Sequence, residues 1–169
     1  ILNPDGKING LLGVAIDITE RQQIKENLLL KDQAIESSLN AIVICDMQGI
    51  ITYVNPSFYR LWGYSLPVEV IGRNAIGFWE NTDKPTEVLN LLTEKGSWMG
   101  ELIGLKKDGS TFIAEVAASI VTNSNKVPTG LMSSFIDITE RKKAEQKLID
   151  ANKELVFQNE EKEQRAKEL

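Results

Sequence analysis

The chain of 169 residues predicts an α+β domain, a five-stranded antiparallel sheet with helices gathered on one face, flanked by long amphipathic helices. Three observations carry this. β-branched runs open and close the middle of the chain. Short helical patterns punctuated by Gly and Pro separate them, giving two strands, a helical middle and three strands. A strand-to-helix junction spelled Ile-Asp-Ile-Thr-Glu-Arg occurs twice, at residues 16–21 and 136–141.

The duplicated junction organises the chain. Residues 10–28 align without a gap to residues 130–148, an offset of 120 that is far too long for a solenoid repeat and suits tandem domains. Residues 1–20 are therefore expected to be the terminal strand of a preceding domain, 21–38 a linker helix, 39–138 a complete domain and 139–169 an exit helix. The chain opens on Ile1, and the expectation is a segment of a longer protein. The apolar strand at 10–18 lacks its own sheet and is expected to seek a sheet edge or a partner chain, or else to stay disordered. At each junction an apolar run meets an Asp and passes at once into a charged segment free of Gly and Pro. Asp17 and Asp137 are placed to accept from backbone N–H groups of the first turn, with Thr19 and Thr139 following. Glu20 and Glu140 are expected to close an acidic capping box.

Within the complete domain, residues 41–46 and 50–54 read as strands joined by Met47-Gln48-Gly49. Asn55-Pro56 is a helix start, with Asn as cap and Pro at the first helical position. Phe58, Leu61 and Trp62 share its inner face. Helical pieces divided by Gly63, Gly72 and Gly77 follow, and Pro85 opens a clearer helix that Gly96 stops. Residues 97–105 and 111–122 form a hairpin about Asp108-Gly109. Alternation places Phe112, Ala114, Val116, Ala118 and Ile120 toward the core. A polar loop, 123–129, precedes the last strand.

Composition removes several functions. Lys and Arg number 19 against 24 Asp and Glu, a net charge of −5 with no basic stretch, so neither nucleic-acid binding nor attraction to an anionic membrane is expected. Histidine is absent, which removes Ser-His and Cys-His nucleophile systems and imidazole metal sites. The single Cys45, in an apolar run, fits a reducing compartment and the expectation of a cytoplasmic protein; no metal site is expected. No apolar run approaches the roughly 20 residues of a bilayer span. Walker A, HExxH and G-x-S-x-G elements are missing, so no catalytic residue is assigned and kinase or cyclase activity is expected outside these residues.

The ordered set AIVICDMQGIITYVNPSFYRLWGYS, EVIGR, WMGELIGLKKDGS and IDITER resembles a PAS domain of the S-box type over about residues 39–140. The resemblance implies a sheet in spatial order 2-1-5-4-3, a pocket between sheet and helices, and a role as sensory or dimerising module of a signalling protein such as a sensor histidine kinase. Its flavin-binding branch carries a Gly-Arg-Asn-Cys motif, where this chain has Gly72-Arg73-Asn74-Ala75, and a Gln two residues before the junction Asp, where it has Phe135. Neither flavin photochemistry by that route nor histidine-ligated haem is implied here.

Phe58, Trp62, Ile76, Phe78, Trp79, Leu89, Leu92, Val116 and Phe135 are large enough to fill the helix–sheet space or to line a residual cavity for an unidentified small molecule. After the second junction Ala144, Leu148, Ala151 and Leu155 follow a three-four spacing, matched upstream by Ile24, Leu28 and Ile35. Both stripes read as homodimer seams or as faces packed on their own domain. The expected function is a sensor that relays a pocket or interface state through Asp137-Ile138-Thr139 into a coiled coil joined to neighbouring PAS and effector domains. The alternative is a ligand-free structural spacer between dimeric neighbours.

Overall fold

Alternation places β4, and the Asn55 cap places α2. The computed structural model describes residues 17–167, so the expected strand at 10–18 lies almost wholly outside the described residues. Helix α1, Thr19–Glu36, begins where Asp17 Oδ1 accepts the Thr19 N–H at 2.9 Å. Most of α1 belongs to a unit separate from the one that begins at Glu36, and it is described by itself.

Strands β1 (Ala41–Cys45), β2 (Ile51–Val54), β3 (Ser97–Leu105), β4 (Thr111–Thr122) and β5 (Pro128–Asp137) form one antiparallel sheet in the order β2-β1-β5-β4-β3. The chain enters at β1, and β5 returns to lie beside it, with Ala41 opposite Phe135 and Cys45 opposite Leu131. Four of the five predicted inward residues of β4, Phe112, Ala114, Val116 and Ala118, are buried; Ile120 is half-buried.

Helices α2 (Pro56–Trp62) and α3 (Asp83–Lys95) pack on the inner face, α2 against β1 and α3 against β3 and β4. Asn55 does more than cap α2. Completely buried, it accepts from Phe58 N–H (3.2 Å) and from Ile42 N–H (2.8 Å), and donates through Nδ2 to Asn40 O (2.9 Å). One side chain thus joins the start of β1 to the start of α2, a long-range role that a local cap signature does not disclose.

Three local expectations change. Gly77 lies inside a 3-10 turn, Ala75–Phe78, whose start is capped by Asn74, instead of dividing two pieces. Pro85 is the third residue of α3; the helix begins two residues earlier, where Asn81 Oδ1 accepts the Asp83 N–H. The loop before β5 is shorter than expected: Asn123 accepts from the Asn125 and Val127 N–H groups to close a tight turn, and Pro128 opens the strand, a position that tolerates its missing N–H.

Candidate functional site

The space between the inner sheet face and α2, α3 and the 3-10 turn holds a cavity of about 70 Å³. All nine residues predicted for this region, Phe58, Trp62, Ile76, Phe78, Trp79, Leu89, Leu92, Val116 and Phe135, line it. Aromatic packing accounts for much of the remaining volume. Phe58 stacks on Trp62 with centroids 4.4 Å apart, and Trp62 meets Phe112, Phe135 and Trp79 edge-on at 5.0, 5.2 and 5.8 Å. The Trp62 indole N–H donates to Phe78 O at 3.1 Å, so the ring is satisfied as well as buried.

The cavity also touches Ile51, Val88, Leu102 and Leu131 and the smaller Cys45, Ala75 and Ser133, which only the pairing of strands and the docking of α3 bring together. Burial, reinforced by the neighbouring Asp46 carboxylate, pushes the Cys45 thiol up to about 12. The thiol therefore stays protonated across physiological pH and behaves as a small apolar group. Ala75, which follows Gly72-Arg73-Asn74, lines the cavity with a methyl group.

Phe135 leads from this cavity to the second junction without an intervening loop. Asp137 still pairs with Ala114 in the β4–β5 ladder. Ile138 is buried at 2 % exposure, and its N–H donates to Ile113 O at 2.9 Å. Thr139 Oγ1 accepts the Ile113 N–H at 2.9 Å, while Asp137 Oδ1 accepts the Thr139 N–H at 2.9 Å. Helix α4, Thr139–Lys167, starts from this fixed point. Its first turn reaches over the outer sheet face, where Arg141 pairs with Glu115 (3.0 Å) and Lys142 with Glu101 (2.7 Å).

The expected capping box is not made. Glu140 instead accepts from Lys143 one turn along the helix surface (2.9 Å), and Glu20 shows no bond back to the first-junction cap among the described residues. The Asp17 carboxylate is held below the usual carboxylate range by the bond from the Thr19 backbone, so the cap persists without its acidic partner.

The seam residues are spread along two helices. On α1, Ile24 and Leu28 are exposed and Ile35 is half-buried. On α4, Ala144, Leu148, Ala151 and Leu155 are exposed. Beside them lie Ile149, Val156 and Phe157, also exposed, which the three-four stripe did not include. Among the described residues, no helix is long and apolar enough to cross a membrane.

The fold and the pocket define a domain class, and comparison with known proteins agrees: the PAS domain family matches residues 39–140. The chain belongs to the PAS domain family. It is 25% identical over 132 residues to the signal transduction histidine-protein kinase AtoS of Escherichia coli, covering 78% of this chain and 22% of that protein. It is 31% identical over 125 residues to the bacterioopsin transcriptional activator of Halobacterium salinarum, covering 70% and 18%. The chain thus spans about a fifth of the length of these curated relatives. Among solved structures, a PAS domain from Colwellia psychrerythraea superposes with a TM-score of 0.62 at 28% identity, over 68% of this chain and 98% of that one. The relatives are sensor kinases and other signalling proteins, which supports a sensory-module role for the domain.

Proposed function

We propose that this chain is a sensory and dimerisation module that relays the state of its pocket through Asp137-Ile138-Thr139 into α4, which pairs with the same helix of a second copy. One observation carries the reading: β5 contributes Phe135 to the cavity and, three residues later, the buried Ile138 that seats α4. No flexible connection intervenes to absorb a displacement. In this reading residues 1–20 close a preceding PAS domain, 21–38 link it to the domain at 39–138, and 139–169 lead toward an effector domain in a cytoplasmic signalling protein. Kinase or cyclase activity belongs to other domains, and the module needs no flavin, haem or metal.

For a ligand to drive output, it must bind two arrangements of the junction with different affinities. A ligand-free spacer is the second reading, favoured by the aromatic cluster that fills most of the helix–sheet space. The test is Asp137→Ala in the full-length protein. The relay reading expects altered output and a less stable start of α4. Unchanged output together with unchanged helix protection removes the junction from the mechanism.

A further inference from the structure

Sheet register brings Ser133 to the floor of the cavity. Ser133 on β5 lies opposite Val43 on β1 and Ala118 on β4, and all three face inward and line the space. One neighbouring row across the same strands carries Ala41, Phe135 and Val116, the other Cys45, Leu131 and Ile120. On β5 and β4 the middle residues, Ser133 and Ala118, are shorter than those on either side, which sets the Ser133 hydroxyl back between Leu131 and Phe135.

The chemistry of the recess is specific. No Asp, Glu, Lys or Arg side chain lines it, so a charged group placed there has nothing to neutralise it and pays its full desolvation cost. Asn74 is already engaged: Oδ1 accepts the Ile76 N–H (2.9 Å), and Nδ2 is directed to Gln48 O (3.5 Å). The Ser133 hydroxyl, by contrast, makes no hydrogen bond among the described residues although the side chain is half-buried and borders the cavity. A lone hydroxyl on an apolar floor is a donor and an acceptor waiting for a partner.

Resting on the sensory reading above, we infer that the cavity takes a small uncharged molecule, apolar over most of its surface, whose single hydroxyl or carbonyl group bonds to Ser133. A cavity of about 70 Å³ with an apolar lining suits a short-chain alcohol or ketone. Carboxylates and phosphates are rejected by the absence of a counter-charge.

Tryptophan reports on occupancy. Trp62 and Trp79 line the cavity and Trp98 does not, so the three indole N–H resonances supply two sensors and an internal control. The experiment titrates the isotopically labelled full chain with 1-propanol and, separately, with sodium propionate of the same skeleton. Saturable shifts at Trp62, Trp79 and the Ser133 amide are expected with propanol, with Trp98 unmoved and no saturable response to propionate. Ser133→Val keeps the shape and removes the hydroxyl, and is expected to weaken propanol binding by about fivefold, the worth of one neutral hydrogen bond. Ala118→Leu fills the recess and is expected to abolish binding. The inference is overturned if propanol shifts never saturate, if Trp98 moves in step with Trp62, if propionate binds equally, or if Ser133→Val binds as wild type. Should Ala118→Leu fail to fold, Ser133→Val decides alone. The Asp137→Ala experiment addresses the relay separately, so either idea can fail while the other stands.

Discussion

The Thr139 hydroxyl accepts the backbone N–H of Ile113 at 2.9 Å, closing the β4 edge of the ladder with a side chain where the backbone of β5 has already turned into helix. Ile138 N–H bonds to the carbonyl of the same Ile113. One residue of β4 is therefore gripped twice, by two successive residues of the junction, and the helix axis starts from a point fixed to the sheet. Arg141 and Lys142 extend the grip through two outer-face carboxylates. Exposed pairs of this kind contribute little stability individually and chiefly set direction.

Removing the grip has a defined cost. Thr139→Val keeps the shape but leaves the Ile113 N–H without an acceptor, and the expected loss is about 1–3 kcal/mol. Thr139→Ser retains the hydroxyl and is expected to recover most of it. Urea unfolding of the two variants checks this, and equal stability of valine and serine forms contradicts it.

Two glycines have different consequences because their neighbours differ in freedom. A Cβ at Gly104 would lie 2.3 Å from the Phe112 ring, a side chain that can yield at the expense of its contact with Trp62. A Cβ at Gly130 would lie 2.5 Å from the Cys45 carbonyl oxygen, which belongs to the β1 backbone. Gly130→Ala is expected to be the more destabilising, because the strands themselves must separate, while Gly104→Ala costs about 1–3 kcal/mol and alters the near-UV signal of Trp62. Thermal unfolding ranks the two.

Cys45 links burial to pH. Its folded-state pKa, about 12, lies above the ordinary thiol value of 9.0. The folded chain then holds a proton that the unfolded chain releases. The stabilisation is fully present below pH 9.0 and is lost as pH rises toward 12. Cys45→Ala is expected to flatten that alkaline decline in a urea-unfolding series. At pH 8, iodoacetamide is expected to modify the native thiol far more slowly than the unfolded one.

Leu148 and Leu155 test the pairing of exit helices. Both are exposed in the single chain, at 64% and 57%. Replacing both with Glu is expected to convert a dimer to a monomer in sedimentation while leaving the unfolding of the sheet domain unchanged. A wild-type chain that sediments as a monomer at micromolar concentration contradicts the seam.

Much of this architecture was legible in the order of residues, because its causes are local. Period-two alternation marked β4, Asp108-Gly109 marked its hairpin, and Asn55-Pro56 marked the start of α2. The nine bulky pocket residues were also accessible, since large apolar groups between a sheet and helices have few other places to go. What escaped was set by register across strands. Nothing local pairs Ile113 with Thr139, 26 positions apart. Ser133 becomes part of the cavity floor only once it lies beside Val43 and Ala118. Glu140 carried a capping-box signature, yet Asp137 remains in the sheet ladder and the glutamate turns to Lys143.

The coupling itself is tested most directly by hydrogen exchange at the amides of residues 138–142 in Phe135→Leu, a change made in the cavity wall. Val54→Ala, on the far edge strand, serves as a control brought to the same global stability with denaturant. The relay predicts exchange at 138–142 about fivefold or more faster in Phe135→Leu than in the control, the loss of at least one hydrogen bond's worth of local protection. Identical exchange at those amides in the two variants would show that the pocket and the exit helix are mechanically independent.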